Sequence, residues 1–293
     1  VCLATLGPGA TNLVTGLADA NMDRAPVVAI IGQGSTRRLH KESHQNMDAI
    51  GMFKPISKWA QTVYAGKNIP EIVRKAFKTA EVEKPGVTII ELPEDVAEQD
   101  IDLSPMAVIK TRRPAADHKA VTQAMDIIEK AKNPIILAGN GALRKRASAQ
   151  LRRFAEKTGI GVVNTFMGKG AVAMSDPHCL FTMGLQGGDY INLAFDDADV
   201  VIAVGYDLVE YAPELWNRKR DKTIIHIDFD PAEVDMDYPV ALDIVSDLAE
   251  ALWQLNEEAD RRFGDKQPLF DIGRITELRR QIADDHASEA DDM

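Results

Sequence analysis

The chain has 293 residues, enough for about two domains at the usual ~100–200 residues each. At 45% hydrophobic and 27% charged it has the composition of a chain that packs cores, not of one that stays disordered. Lys and Arg total 34 against 45 Asp and Glu, a formal charge of -11 that repels phosphate backbones and anionic lipid heads, so neither nucleic acid nor a membrane surface is an expected partner.

Cys2 and Cys179 build no disulfide framework, and no apolar run approaches the ~20 residues of a membrane span. No charged-then-apolar leader opens the chain, and the expected compartment is reducing and cytoplasmic. The first run, Val1-Cys2-Leu3-Ala4-Thr5, reads as a strand already under way without an initiator Met, so the start is expected to be a cut edge. Short Val- and Ile-rich runs then alternate with longer segments of helical period, the pattern of parallel strands joined by crossover helices. The expected fold class is therefore α/β, with two doubly wound, mostly parallel sheets.

The first unit, residues 1–95, is expected to have strands near 1–5, 27–31, 57–63 and 87–92 and helices near 10–22 and 70–82. Residues 96–117, with Pro105, Pro114 and Arg112-Arg113 and no sustained period, suit a linker. The second unit, 118–257, is expected to carry helices near 118–131, 144–158, 190–198 and 246–257 and strands near 134–138, 161–164, 200–204 and 223–227. Residues 258–293 read as a linker toward a further domain, with a charged helical segment beginning over Asp271–Arg280 and an acidic, polar stretch after Gln281 with nothing to bury.

Three groups of residues are candidates for chemistry. Leu6-Gly7-Pro8-Gly9-Ala10-Thr11-Asn12 joins a strand to a helix, where glycines permit a tight turn and the helix start offers free N–H groups. It matches neither a dinucleotide fingerprint nor a P-loop, and on the residues alone a strand-to-helix turn capped by Thr11 or Asn12 is the simpler reading. The polar stretch 32–47 follows a strand end, where ligands gather in parallel sheets, although a solvated loop has the same composition. In the second unit, loops with Gly139 and Gly141, Gly168 and Gly170, and Gly184, Gly187 and Gly188 either line a nucleotide crevice or are tight turns. Asp228 and Asp230 end a strand and suit capping of the turn that follows, although an acid at a strand end is also what reads a ribose hydroxyl in dinucleotide-binding folds. The His, Cys and acidic residues show no metal-ligand spacing.

In chain order, Gly7-Pro8-Gly9-Ala10-Thr11-Asn12, Leu17-Ala18-Asp19-Ala20, residues 26–32 and His44-Gln45-Asn46-Met47-Asp48 resemble the thiamine diphosphate enzymes of the acetolactate synthase group. The resemblance continues through residues 53–59, Pro85-Gly86-Val87, residues 92–96, residues 134–141 and Gly168-Lys169-Gly170, up to Leu255. It implies most of a pyrimidine-binding domain, then a central domain, with a diphosphate-binding domain and its magnesium ligands outside this chain. The family's cofactor-activating glutamate is expected before Val1. It hydrogen-bonds the aminopyrimidine and helps release the thiazolium proton, so the chain alone is not expected to turn over.

By the same resemblance Pro8, Gly9, Asn12 and Gly16 lie at the pyrimidine end, and Gln45 and His44 face cofactor and substrate between two subunits of a homodimer or homotetramer. Gln45 offers an amide donor and a carbonyl acceptor, and His44 moves a proton or holds the loop. The implied reaction joins two pyruvates with loss of carbon dioxide to give 2-acetolactate. FAD-binding members carry Arg-Phe-Asp-Asp-Arg after a Val-Gly strand end. Here Val204-Gly205 is followed by Tyr206-Asp207-Leu208-Val209-Glu210-Tyr211, then Pro213 and Trp216-Asn217, which resembles the catabolic, FAD-independent type, so FAD is not an expected cofactor. Two alternatives stand beside this: another 2-oxo acid decarboxylase, oxidase or carboligase of the same fold, and a non-catalytic nucleotide-binding or assembly module.

Overall fold

A computed structural model describes residues 1–109, 112–184, 190–264 and 268–291, without the side chains of residue 145 and residues 286–291. The chain divides into two compact units, Val1–Thr111 and Arg112–Met293, a division that falls inside the segment expected to be a linker. Residues on either side of it are tied to their own unit. Arg74 donates to the carbonyls of Ala107 and Ile109, and the Asp247 N–H donates to the Pro114 carbonyl.

The first unit runs β1 (Cys2–Ala4), α1 (Pro8–Thr11), α2 (Val14–Met22), β2 (Val27–Gln33), α3 (Ala49–Phe53), β3 (Trp59–Thr62), α4 (Ile69–Glu81), β4 (Val87–Pro93) and α5 (Glu94–Ala97). Its described strands form a parallel sheet in the order β1-β2-β4-β3. Alternation along the strands separates two cores. Ala29, Ile31, Val87 and Ile89 pack with Ala10, Leu17 and Phe53 on one face, while Val28 and Ile90 pack with Ala76 and Ala80 of α4 on the other. The single helix expected over residues 10–22 is instead two, broken at Asn12 and Leu13. Pro8 starts the first with its fixed φ, and Ala10 on the first helix and Leu17 on the second are both buried.

The second unit contains α6 (His118–Lys130), β5 (Pro134–Ala138), α7 (Lys145–Thr158), β6 (Gly161–Asn164), β7 (Cys179–Thr182), α8 (Asn192–Asp196), β8 (Val200–Val204), α9 (Pro213–Trp216), β9 (Thr223–Asp228), β10 (Val240–Val245), α10 (Leu248–Phe263) and α11 (Ile272–Asp291). The described strands are parallel in the order β10-β9-β8-β5-β6-β7. Ile136, Val162, Ile202 and Ile225 face a core with α6, α7 and α10, while Leu137, Val163, Val201 and Ile224 face one with Phe195 and Trp216. The fold class is α/β, as expected. Among the described residues no helix is long and apolar enough to cross a membrane.

Two parts of this unit depart from expectation. β7 and β10 are edge strands that the alternation did not reveal: β7 is four residues long with Phe181 at φ +66°, and the apolar run of β10 is broken by Asp243, which pairs with His226. In the segment expected as a C-terminal linker, the helix expected to begin over Asp271–Arg280 runs from Ile272 to Asp291 and packs on the unit instead of standing in solvent. Ile275, Leu278 and Ile282, spaced one turn apart among charges, are buried against the second core, and Arg279 donates to the carbonyls of Asp176 (2.5 Å) and Cys179 (2.6 Å).

Candidate functional site

The carboxyl ends of β1 and β2 lie side by side, because these strands are paired from Cys2↔Ala29 to Ala4↔Ile31. The loops that leave them therefore meet. Gly7 has φ +57°, a left-handed conformation that glycine adopts freely. A Cβ there would stand 2.7 Å from the Gln45 carbonyl oxygen and 2.8 Å from Gln45 Cβ, so only glycine lets the two loops close. Gln45 itself is left-handed at φ +58°, and both His44 and Gln45 are exposed.

Buried hydrogen bonds below hold the second loop. Gln33, at the end of β2, donates its amide to the Met47 carbonyl (2.9 Å) and to Glu91 Oε1 (2.9 Å), and its oxygen accepts from the Gly34 N–H (2.8 Å). Thr62, at the end of β3, donates to Glu91 Oε2 (2.6 Å). One carboxylate on β4, 4% exposed, thus joins three adjacent strand ends, and the Gln33 amide that it holds ties the two sides of loop 34–47 together. Further out, Thr36 donates its N–H and hydroxyl to Asp95, which holds that carboxyl below its ordinary value, and Arg38 pairs with Glu94 at 2.5 Å. The Asn46 amide reaches the carbonyls of Arg38, Leu39 and Lys41, and Asp48 caps α3 by accepting from the Gly51 N–H at 2.8 Å. Gln33 lies in the polar stretch 32–47 that the sequence offers as a candidate, whereas Thr62 and Glu91 do not stand out in the sequence. The available signal was a lone acid at the end of an otherwise apolar strand.

The remaining candidates surround this corner in the chain. Pro8 is exposed at the first position of α1, Gly9 is half-buried over Thr5, and Asn12 is exposed at the break between α1 and α2. Gly16 is exposed on α2 with nothing within 4 Å of where a Cβ would be. The structure thus brings Gln45 against the turn that begins the Pro8–Asn12 segment, and it leaves polar edges and bare backbone facing outward. Among the described residues no group of three or more His, Cys, Asp or Glu converges to hold a metal ion.

In the second unit Gly139, Gly141, Gly168 and Gly205 serve close backbone packing, whereas Gly170, at φ +99°, has nothing within 4 Å of where a Cβ would be. A Cβ on Gly141 would stand 2.7 Å from Gly205 Cα, and one on Gly168 would strike the Ala138 carbonyl. Of the third loop only Met183 and Gly184 are described, and Gly187 and Gly188 lie outside the described residues. Asp228 accepts from the Phe229 N–H at 2.6 Å, a local turn contact.

A family profile described as the N-terminal TPP binding domain of thiamine pyrophosphate enzymes matches residues 1–52, and one described as their central domain matches residues 121–255. A probable acetolactate synthase large subunit of Methanococcus aeolicus is 36% identical over 268 residues, which are 89% of this chain and 45% of that protein. An acetolactate synthase of Bacillus subtilis is 32% identical over 295 residues, 99% of this chain and 52% of that one. The chloroplastic acetolactate synthase 2 of Nicotiana tabacum is 35% identical over 274 residues, 90% and 40% respectively. The chain spans about half the length of these relatives. With both domain types in the order and at the places where the two sheets stand, the chain belongs to the thiamine pyrophosphate enzymes.

Proposed function

We propose that the protein containing this chain is an acetolactate synthase, which decarboxylates one pyruvate and joins the product to a second to give 2-acetolactate. The observation that carries this reading is the collinear similarity to acetolactate synthases along nearly the whole chain, combined with the closed corner of Gly7 and Gln45 within the N-terminal match. Thiamine diphosphate, when bound, supplies a thiazolium carbon that adds to the 2-oxo acid and holds the electrons released with carbon dioxide.

The corner fits the pyrimidine end of that cofactor. An aminopyrimidine needs close approach to backbone and a partner that both donates and accepts. The exposed Asn12 amide and the open face at Gly16 supply these. By the resemblance to the family, the diphosphate and its magnesium are assigned to a part of the enzyme outside this chain. Pro8 and Gly9 set the turn that presents Asn12. Gln45, fixed by its contact with Gly7, places an amide donor and a carbonyl acceptor toward substrate, and His44 beside it holds or moves a proton at the same edge.

In this reading the corner completes a partner subunit's site in a homodimer or homotetramer, and pyruvate is the substrate. The tyrosine-rich stretch after Gly205, in place of an arginine-rich one, supports the FAD-independent type. Cys2 and Cys179 are free thiols, which suits a reducing cytoplasm.

The test is to incubate the intact protein with labelled pyruvate, thiamine diphosphate and magnesium and to identify the product. 2-Acetolactate is expected. Acetaldehyde or acetate as the main product would move the assignment to a decarboxylase or an oxidase. Stoichiometric flavin in the purified protein would overturn the FAD-independent reading.

A further inference from the structure

In the second unit the chain order β5, β6, β7, β8, β9, β10 is laid out in space as β10-β9-β8-β5-β6-β7, so the winding reverses between β5 and β8. In open parallel sheets such a reversal opens a crevice beyond the carboxyl ends of the two strands, where ligand phosphates bind to backbone N–H groups of glycine loops. Here glycine loops leave both strands, but the crevice is filled from within.

The filling group is Glu210, 2% exposed and carried by the loop after β8. Its two carboxylate oxygens accept from the Asn140 N–H, each at 3.1 Å, and one also accepts from the Asp207 N–H at 3.1 Å. The other accepts from the Thr165 hydroxyl at 2.5 Å. These donors come from the loops after β5, β8 and β6, so one carboxylate ties together three strand ends. The glycines close around it. A Cβ on Gly139 would stand 2.9 Å from Glu210 Oε1, and the Gly141 N–H donates to the Gly205 carbonyl at 2.8 Å. Cavities of about 460 and 400 Å³ in this unit are lined by other residues, such as Trp216 and Lys222 in one and Phe181 and Thr182 in the other, and neither borders Glu210.

We propose that Glu210 is a resident anion: its carboxylate takes the donors that a ligand's phosphate would use, and so closes the central crevice to nucleotides and other phosphate-bearing molecules. This goes beyond the assignment of the reaction and does not rest on it. It names the residue that sets the ligand preference of the central unit.

The experiment compares the full chain with Glu210→Ala, which removes the carboxylate and leaves its donors, using inorganic phosphate and ADP as probes. Phosphate stabilises most proteins a little by exclusion from their surfaces, so the readout is the difference between variant and wild type at matched ionic strength in chloride. Millimolar phosphate is expected to raise the melting midpoint of E210A by about 3 °C or more beyond its effect on the wild type, as for a ligand that binds only the folded state. ADP is expected to leave the wild type unmoved, with unchanged amide exchange at residues 139–142 and 205–210. Should E210A be recovered only as aggregate, its refolding yield is expected to rise in phosphate over chloride. The proposal is overturned if ADP stabilises the wild type and protects those amides, if folded E210A responds no more than the wild type, or if aggregated E210A refolds equally in both salts.

Discussion

Gly7 and Gln45 hold each other in place: both are left-handed, at φ +57° and +58°, and the Gln45 carbonyl and Cβ occupy the space that any side chain on residue 7 would need. Gly7→Ala therefore meets two penalties, an unfavourable backbone region and a steric clash, and is expected to cost about 1–3 kcal/mol. Denaturant unfolding of the variant checks this. A stability within ~0.5 kcal/mol of the wild type, the usual range for a surface change, would mean that the loops part easily.

Gln45→Ala separates site from scaffold. The side chain is exposed, and its backbone contact with Gly7 survives truncation, so the midpoint of unfolding should stay within the surface range of ~0.5 kcal/mol. Turnover of pyruvate by the intact enzyme is expected to fall by about tenfold or more, as when a group that contacts the reacting atoms is lost. Unchanged kinetics would remove Gln45 from the site.

The loop that carries Gln45 hangs on Gln33. Replacing Gln33 with Leu leaves one Glu91 oxygen and the Met47 carbonyl without that donor in a buried setting, a loss of about 1–3 kcal/mol. Faster amide exchange in residues 34–47 should accompany it. If the unfolding midpoint falls while exchange in that loop is unchanged, Gln33 serves the strand ends alone.

Acid stability has a traceable source in the second unit. Hydrogen bonds from Arg261 and then Arg262 hold the Glu258 carboxyl down at about 2 from its ordinary 4.5, against the opposing effect of burial. A depressed carboxyl contributes stability that is fully present above 4.5 and lost as pH falls from 4.5 to about 2. Glu210 has the opposite sign. Burial raises its carboxyl above 4.5, so its contribution favours folding in acid and is lost as pH rises through the raised value. Urea midpoints measured between pH 5.5 and 2.5 should therefore drop less steeply for Glu258→Gln than for the wild type; parallel curves would contradict this assignment.

The C-terminal helix offers a packing test. Leu278 is buried between Ile275 and Ile282, and Leu278→Ala is expected to cost about 2–4 kcal/mol. A solvated linker, the reading that its charges suggested, would lose almost nothing.

That misreading shows where the sequence is legible and where it is not. Continuous Val and Ile runs such as those of β2, β5 and β8 announce buried parallel strands, and the glycine turn at residue 7 announces a backbone that needs left-handed freedom. Three apolar residues spread over two turns of a charged segment do not stand out until a partner surface is known, which is why Ile275, Leu278 and Ile282 were passed over. β10 was hidden for a related reason, since an edge strand buries little and tolerates Asp243. Gln33, Thr62 and Glu91 each look like an isolated polar residue at a strand end, and their union exists only once β4 is paired with β2 on one side and β3 on the other. The stretch after Gly205 was judged by the arginines it lacks. Glu210, the residue that organises the loop, became visible only when the strand order placed β5 beside β8.

The most direct test of the account is amide exchange on the intact protein with and without thiamine diphosphate and magnesium. The account predicts slowed exchange at residues 6–16 and 40–48 together, with the central crevice at 139–142 and 205–210 unchanged. Slowed exchange in the crevice, with both loops unaffected, would contradict it.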